Sequence, residues 1–358
     1  MSGRIAPAAA SSATSPWTED ALEYLGRCPV CRSKERSELF RGVEDRVFGT
    51  PGAWDYWACA CGILYLDPRP ASHANAAAYE NYYTHRSAVP RPAWREGGFR
   101  GAVRRGYLNW RYGYRFVGAS LLGGLSWRLR RPAVRNLDFM VRHLPAPPPE
   151  GSRILDVGCG NGDFLAVAED LGHEAAGLDP DELAVAAARA RGLDAHVGTL
   201  PASGAATRSF DHVFLNHVLE HLHAPLAALG EAKSLLVPGG RLWLSLPNPE
   251  SLGFHRFGRH WRGLEPPRHL ALFSISRLGS LLKGLGFERV MLLPPEDAAL
   301  SYFRQSEAIA QGGYGRSGGE PPASKPMRRA AAAAVRRSRR EPRLAETVTM
   351  VAWNPLRS

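Results

Sequence analysis

The sequence predicts an α/β fold: a doubly wound, seven-stranded sheet whose last strand runs antiparallel, preceded by a small cysteine-rich unit. Three observations predict it. From Arg153 onward, short apolar runs alternate with helix-forming segments, the mark of a parallel sheet covered on both faces. The run Ile154-Leu155-Asp156-Val157 breaks into Gly158-Cys159-Gly160-Asn161-Gly162 before a helical segment begins at Phe164. Four of the five cysteines fall before residue 62, in two close pairs.

Composition sets outer bounds. At 358 residues with 44% apolar content, the chain can bury one large core and a smaller one. The formal net charge of +11 admits an acidic partner such as nucleic acid, an anionic lipid surface or a phosphorylated substrate. It admits equally a bias of composition, since arginine far outnumbers lysine and is scattered as well as clustered. Residues 1–22, rich in Ala, Ser and Pro at their start, read as a disordered tail. No apolar run is long enough to span a bilayer. Few, lopsided cysteines indicate metal binding in a reducing compartment, hence a cytoplasmic protein, and not a disulfide framework.

Cys28-Pro29-Val30-Cys31 opens the first unit, residues 23–70, and Cys59-Ala60-Cys61-Gly62 closes it. Two cysteine turns joined through a hairpin form a tetrahedral thiolate site of zinc-ribbon type. Four protein ligands leave no open position, so Cys28, Cys31, Cys59 and Cys61 imply a structural Zn2+ that supplies folding energy to a unit with little core. The second pair has one intervening residue where a ribbon usually has two.

Residues 71–150 read as a basic, aromatic connector. Arg91, Arg100, Arg104, Arg105, Arg111 and Arg115 alternate with Trp94, Tyr107, Trp110, Tyr112, Tyr114 and Phe116. Such a segment suits a helical connector with its arginines in water, contact with a membrane surface, or base stacking. Pro145 to Pro149 forms a stiff boundary.

In the main domain, residues 151–358, strands are expected at 153–157, 174–178, 193–197, 210–215, 241–246, 287–293 and 347–353. Asp181 and Gly192 bracket a helix by cap and dipole rules. A long helix is expected to follow the fourth strand up to Leu236, and another spans Ser274 to Leu285. The sixth and seventh strands can pair as an antiparallel hairpin. The insertion between them, residues 295–345, is Gly-, Pro-, Ala- and Arg-rich; it reads as a mobile solvated arm, with Arg328 to Arg340 able to form a basic helix.

The glycine turn is the centre of the chemistry. Glycines at 158, 160 and 162 let the backbone turn sharply and let a ligand approach, beside a helix start with unpaired N–H groups. A dinucleotide would also fit such a turn. Asp156 could pair with a cationic amine. The next strand ends in Asp179-Pro180, about 20 residues on, where a carboxylate can accept both ribose hydroxyls. On these residues the stretch resembles the class I S-adenosylmethionine-dependent methyltransferases, whose fold also ends in an antiparallel strand that nicotinamide-dependent oxidoreductases usually lack. The resemblance implies S-adenosyl-L-methionine as cofactor. It implies contacts from Asp156, Gly158, Cys159, Gly160, Asn161, Gly162, Asp179 and Pro180, with Thr199 and Leu200 against the adenine and Asn216 at the end of the fourth strand. Cys61-Gly62 through Pro68-Arg69-Pro70, and Trp261-x-Gly-x-Glu-x-Pro-Arg-His-Leu-x-x-Phe-Ser274, resemble one bacterial branch of that family.

Beyond the fourth strand lies Asn216-His217-Val218-Leu219-Glu220-His221. On a helix, His217, Glu220 and His221 would share a face. His221 could serve as a general base, the cluster could hold a divalent metal, or its polar groups could simply bond to the backbone. The loop Asn248–Phe273 reads as a lid over an acceptor site, where His269 and Arg268 could orient a hydroxyl or an anionic group, or brace the loop. The implied reaction is methyl transfer to an acceptor nucleophile, favoured as oxygen, of a small molecule, sugar or lipid-linked glycan. The alternative is a zinc-ribbon nucleic-acid binder that uses the same fold as a scaffold.

Overall fold

The computed structural model describes residues 17–80, 92–128, 137–313 and 322–356. Its first layer is an antiparallel sheet. Strand β1 (Leu22–Glu23) is followed by β2 (Arg36–Glu44), β3 (Ala53–Cys59), β4 (Ile63–Leu66) and β5 (Arg69–Pro70). β2, β3 and β4 pair in sequence, and β1 pairs with β5. Trp54 and Tyr56 alternate inward along β3. The expected tail therefore ends earlier than residue 22: Trp17 stacks edge-on against Trp54 at 5.1 Å and donates to Pro51 O. Residues 1–16 lie outside the described residues.

Helices α1 (Gly98–Tyr112), α2 (Leu122–Arg128) and α3 (Leu137–Met140) occupy the connector. The main domain then runs β6 (Arg153–Val157), α4 (Asp163–Asp170), β7 (Glu174–Asp179), α5 (Glu182–Ala190), β8 (Asp194–Val197), β9 (Phe210–Asn216), α6 (Pro225–Leu235) and β10 (Leu236–Pro247). It continues with α7 (Leu252–Phe257), β11 (Ala271–Phe273), α8 (Ile275–Gly284), β12 (Glu288–Leu292), α9 (Ala299–Ala310), α10 (Lys325–Ser338) and β13 (Thr347–Trp353). Asp181 caps α5 by accepting from Leu183 N and Ala184 N, and Ser274 caps α8 through Arg277 N.

The large sheet has the order β12-β13-β10-β9-β6-β7-β8. Period-two alternation sends its side chains to two cores. Leu155, Val157, Val213, Leu215, Leu242, Leu244 and Met350 pack with residues of α6 and α8. Ile154, Phe214, Trp243 and Val351 pack on the other face with residues of α4 and α5. The final strand is more than half of a hairpin. β13 inserts between β12 and β10, antiparallel to both, with seven matched pairs from Arg241↔Trp353 to Pro247↔Thr347.

Three expectations are corrected. The helix expected directly after β9 starts only at Pro225; residues 217–224 form a loop with a 3-10 turn at Leu219–His221. In the insertion, α9 and α10 are packed helices and not a solvated arm, because Phe303, Met327, Ala331 and Ala334 bury an apolar stripe between them. The cysteine-rich unit does not close on itself: β11, from the expected lid, adds to β4 as the fourth strand of its sheet. Ile63, Tyr65, Cys28 and Cys59 consequently share a core with the large sheet. Among the described residues, no helix is long and apolar enough to cross a membrane.

Candidate functional site

The carboxyl ends of β6, β7 and β9 meet at the glycine turn, where open parallel sheets bind ligands. Gly158, Gly160 and Gly162 all have positive φ. A Cβ at Gly158 would lie 2.5 Å from Val218 Cγ2, and one at Gly162 would lie 2.5 Å from Leu193 Cδ1. At Gly160 it would meet open space, so the turn is packed from below and bare on its ligand side. Gly158 N and Cys159 N both donate to Leu178 O, which pins the turn to β7.

Asp179 is nearly fully buried. Its Oδ2 accepts from Gly160 N at 2.8 Å and its Oδ1 from Asp181 N at 2.9 Å. Each oxygen keeps a second lone pair, as a two-hydroxyl ribose contact requires. Burial pushes the carboxyl up, against these backbone donors. Gly198 N donates to Asp179 O, so the Thr199-Leu200 junction stands beside the acid, as expected for the adenine side. Pro180 is exposed, and the Asn161 carbonyl accepts from Arg191. Asn216 ends β9 with its Oδ1 buried and unpartnered.

Asp156 is fully buried, and its Oδ1 is already paired with Arg142, whose guanidinium stacks on Phe164 at 3.8 Å. Only Oδ2 remains without a partner for an incoming amine. Burial raises the carboxyl while Arg142 opposes the rise. Arg142 is a site residue that the sequence reading missed, since nothing in the connector distinguishes it from its neighbouring arginines.

The second half of the site rises from the 3-10 turn and the lid. His217 does not share a helix face with Glu220, yet its Nδ1 still reaches Glu220 Oε1 at 3.2 Å through a backbone at φ 53. Burial pulls His217 down, but the Glu220 carboxylate outweighs this and leaves it raised; Glu220 is lowered in return against its own burial. The Glu220 contact favours the charged form of His217. His221 differs. Its Nδ1 lies 3.0 Å from Arg268 O and 2.9 Å from Tyr79 OH. A carbonyl can only accept, so in the neutral ring Nδ1 carries the proton and Nε2 the lone pair.

His269 is buried with its Nδ1 donating to Gly263 O at 2.7 Å, and burial pulls it down to about 4, so it is neutral. Its ring meets that of His221 edge-on at 4.7 Å. Arg268, offered above as an anion contact, is a brace: it is 1% exposed and bonds Asp45 Oδ2 and Thr50 Oγ1 at 2.9 Å, Ala78 O at 3.0 Å and Glu265 Oε1 at 3.0 Å. Tyr79 is the second residue whose role the sequence did not disclose. Tyr82 and Tyr83 fall outside the described residues.

Among the described residues, two groups of ligand atoms could hold a metal. The Sγ atoms of Cys28, Cys31, Cys59 and Cys61 lie within 4.8 Å of one another, with Cys28–Cys61 at 3.7 Å and Cys31–Cys59 at 3.5 Å. Tetrahedral zinc with bonds of about 2.3 Å separates sulfurs by about 3.8 Å, so the thiolates fit despite the shortened second pair. Glu220, His221 and His269 also lie within 4.8 Å, whereas His217 is absent from that group.

Known proteins resemble part of this chain. Residues 127–292 match the methyltransferase domain family, type 23. That segment, just under half of the chain, is similar to a methyltransferase domain. Over 129 residues it is 38% identical to the ubiquinone biosynthesis O-methyltransferase of Cereibacter sphaeroides, which covers 34% of this chain and 52% of that protein. Over 125 residues it is 33% identical to the enzyme of the same name from Xanthomonas campestris, covering 33% and 51%. The chain thus spans about half the length of the curated relatives it matches. The structure of Haemonchus contortus phosphoethanolamine N-methyltransferase 2 with S-adenosyl-L-methionine aligns at 16% identity and a TM-score of 0.45, covering 82% of this chain and 63% of that one. The matched segment holds a bare Gly160, the Asp179 carboxylate bonded to Gly160 N, and buried oxygens without a partner on Asp156 and Asn216.

Proposed function

We propose that this protein transfers a methyl group from S-adenosyl-L-methionine to a hydroxyl oxygen of a small-molecule acceptor, with His221 as the general base. When bound, the cofactor supplies a methyl group on a sulfonium, already activated toward nucleophiles. The residues need mainly to align acceptor and methyl. Asp179 would hold the ribose, Gly158 to Gly162 would admit the cofactor backbone-close, and Asp156 Oδ2 would take the amine. The observation that carries the reading is the orientation of His221, whose Nδ1 is held by Arg268 O, so that Nε2 is the ring nitrogen that would take the proton. His269, buried and neutral, packs edge-on against the His221 ring at 4.7 Å. O-methylation in the names of the matched relatives supports oxygen as the acceptor atom.

We further propose that Cys28, Cys31, Cys59 and Cys61 bind one structural zinc ion. Calorimetry with S-adenosylhomocysteine tests the cofactor half of the reading: Asp179→Ala should abolish measurable binding, and near-normal affinity would remove the ribose role. Turnover of hydroxylated acceptors with labelled cofactor tests the other half.

A further inference from the structure

Between Gly98 and Arg128 the chain has six arginines and no acidic residue. α1 and α2 form a hairpin that closes through glycine. A Cβ on Gly106 would lie 1.9 Å from Ser120 O, and one on Gly123 would lie 2.2 Å from Tyr107 N. The inner side is buried: Val103, Tyr107 and Leu108 belong to the core that includes Phe164 and Leu165 of α4. Trp94 Nε1, just ahead of α1, donates to Asp170 Oδ2 at 2.7 Å and anchors the base of the hairpin.

The outer side has the opposite character. Val117 is 93% exposed and Leu121 is 100% exposed, with Trp110, Leu122 and Leu125 about half exposed beside them. Arg111 and Arg115, in the same stretch, are also exposed. The tip that carries the two aliphatics is tightly built. Asn109 Nδ2 donates to Phe116 O at 3.1 Å, and Phe116 N returns a bond to Asn109 Oδ1 at 2.9 Å. Tyr114 stacks on Phe116 and donates to Leu144 O at 3.0 Å. A fixed scaffold thus holds large aliphatic side chains in water, in a stretch that has arginines and no acidic residue of its own.

Charge decides the occupant. A second copy would bring arginine against arginine, which disfavours self-association through this face. A nucleic acid would use the arginines but find nothing for Val117 and Leu121. A bilayer with anionic head groups uses all three features: aliphatics reach the acyl boundary, tryptophan sits at the interface, and arginines meet the lipid phosphates. We propose that the α1–α2 hairpin is a peripheral docking surface for anionic lipid bilayers. The proposal stands apart from the choice of methyl acceptor.

Vesicle co-sedimentation of the full chain tests it, using phosphatidylcholine vesicles with and without phosphatidylglycerol. Binding should require phosphatidylglycerol. It should fall about fivefold for each of Arg111→Ser and Arg115→Ser, and by about tenfold or more for Leu121→Asp. Arg115 and Leu121 are exposed, so their variants should keep the wild-type melting temperature and S-adenosylhomocysteine affinity, whereas Arg111 also bonds Tyr107. Equal binding to pure phosphatidylcholine, no binding to either vesicle, or binding untouched by these substitutions would overturn the proposal. A wild-type dimer in light scattering that Leu121→Asp dissolves would overturn it too, by assigning the face to a second copy.

Discussion

His221 and His269 lie edge to face in one pocket but are held in different ways. His269 has its Nδ1 on Gly263 O and is sealed, whereas His221 is only half-buried and presents Nε2. His221→Ala should therefore lower methyl transfer by about 100-fold or more while S-adenosylhomocysteine affinity stays unchanged, because a general base acts only in the chemical step. Parallel loss of both would reassign His221 to cofactor binding. Arg268 invites a different expectation. It neutralises Asp45 and Glu265 inside the protein, and Glu265 is held well below the usual carboxylate range, against its own burial, by the charges of Arg262 and Arg268. Arg268→Met leaves two buried carboxylates short of a partner, which should cost about 3–5 kcal/mol in denaturant unfolding. A loss below about 1 kcal/mol would show that water reaches those acids.

At the level of elements, the amino ends of the large sheet strands hold a different device. His173 bonds Ser152 ahead of β6, His212 lies early in β9, His143 follows α3, and Arg241 opens the long pairing of β10 with β13. Burial pulls His143 and His173 each down to about 4 and His212 well below its ordinary value, with the Arg241 charge adding to the effect. Below pH 6.5 the unfolded chain binds protons that these folded imidazoles refuse. Stability should then fall as pH drops from about 6.5 to 4, by about 1.4 kcal/mol per pH unit for each such histidine. Urea unfolding across that range should show it, and His173→Gln should reduce the slope. A flat profile would mean that these imidazoles titrate normally. Sequence reading found the strands themselves, because a buried parallel strand is a continuous apolar run and Asp181, Gly192 and Ser274 mark helix ends. It placed Asp179 and the glycines for the same reason, since local spacing alone defines that turn. It misread the stretch after β9, where apolar residues at helical spacing line a loop whose shape is set by Glu220, Leu270 and the lid. Tyr79, Arg142 and the β4–β11 pairing were not legible, because each is a contact between segments more than 10 residues apart that no local pattern records.

Across the whole molecule, one sheet joins the cysteine cluster to the acceptor side of the site. Ala271, Leu272 and Phe273 of the lid pair with Tyr65, Leu64 and Ile63, directly after Cys61-Gly62. Ser274 N donates to Gly62 O at 2.9 Å, and a Cβ on Gly62 would lie 2.3 Å from Ser274 Oγ, so the metal knuckle and the cap of α8 are in contact. Tyr56 donates to Leu264 O, and Trp54, Tyr56 and Leu66 share a core with Trp261, Leu264, Leu270 and Leu272. The cofactor side rests on other supports: Asp179 and Gly160 are fixed by β7 and the turn itself. Removing zinc should accordingly act on the two halves unequally. Chelation should raise amide exchange across residues 261–274 and abolish turnover, and zinc add-back should reverse both, because a thiolate cluster without its ion loses the bonds that fold so small a unit. S-adenosylhomocysteine affinity should survive. If the lid keeps its protection after the metal has gone, the apolar core shared by ribbon and lid suffices on its own. If cofactor affinity collapses together with the lid, the two halves form a single cooperative unit.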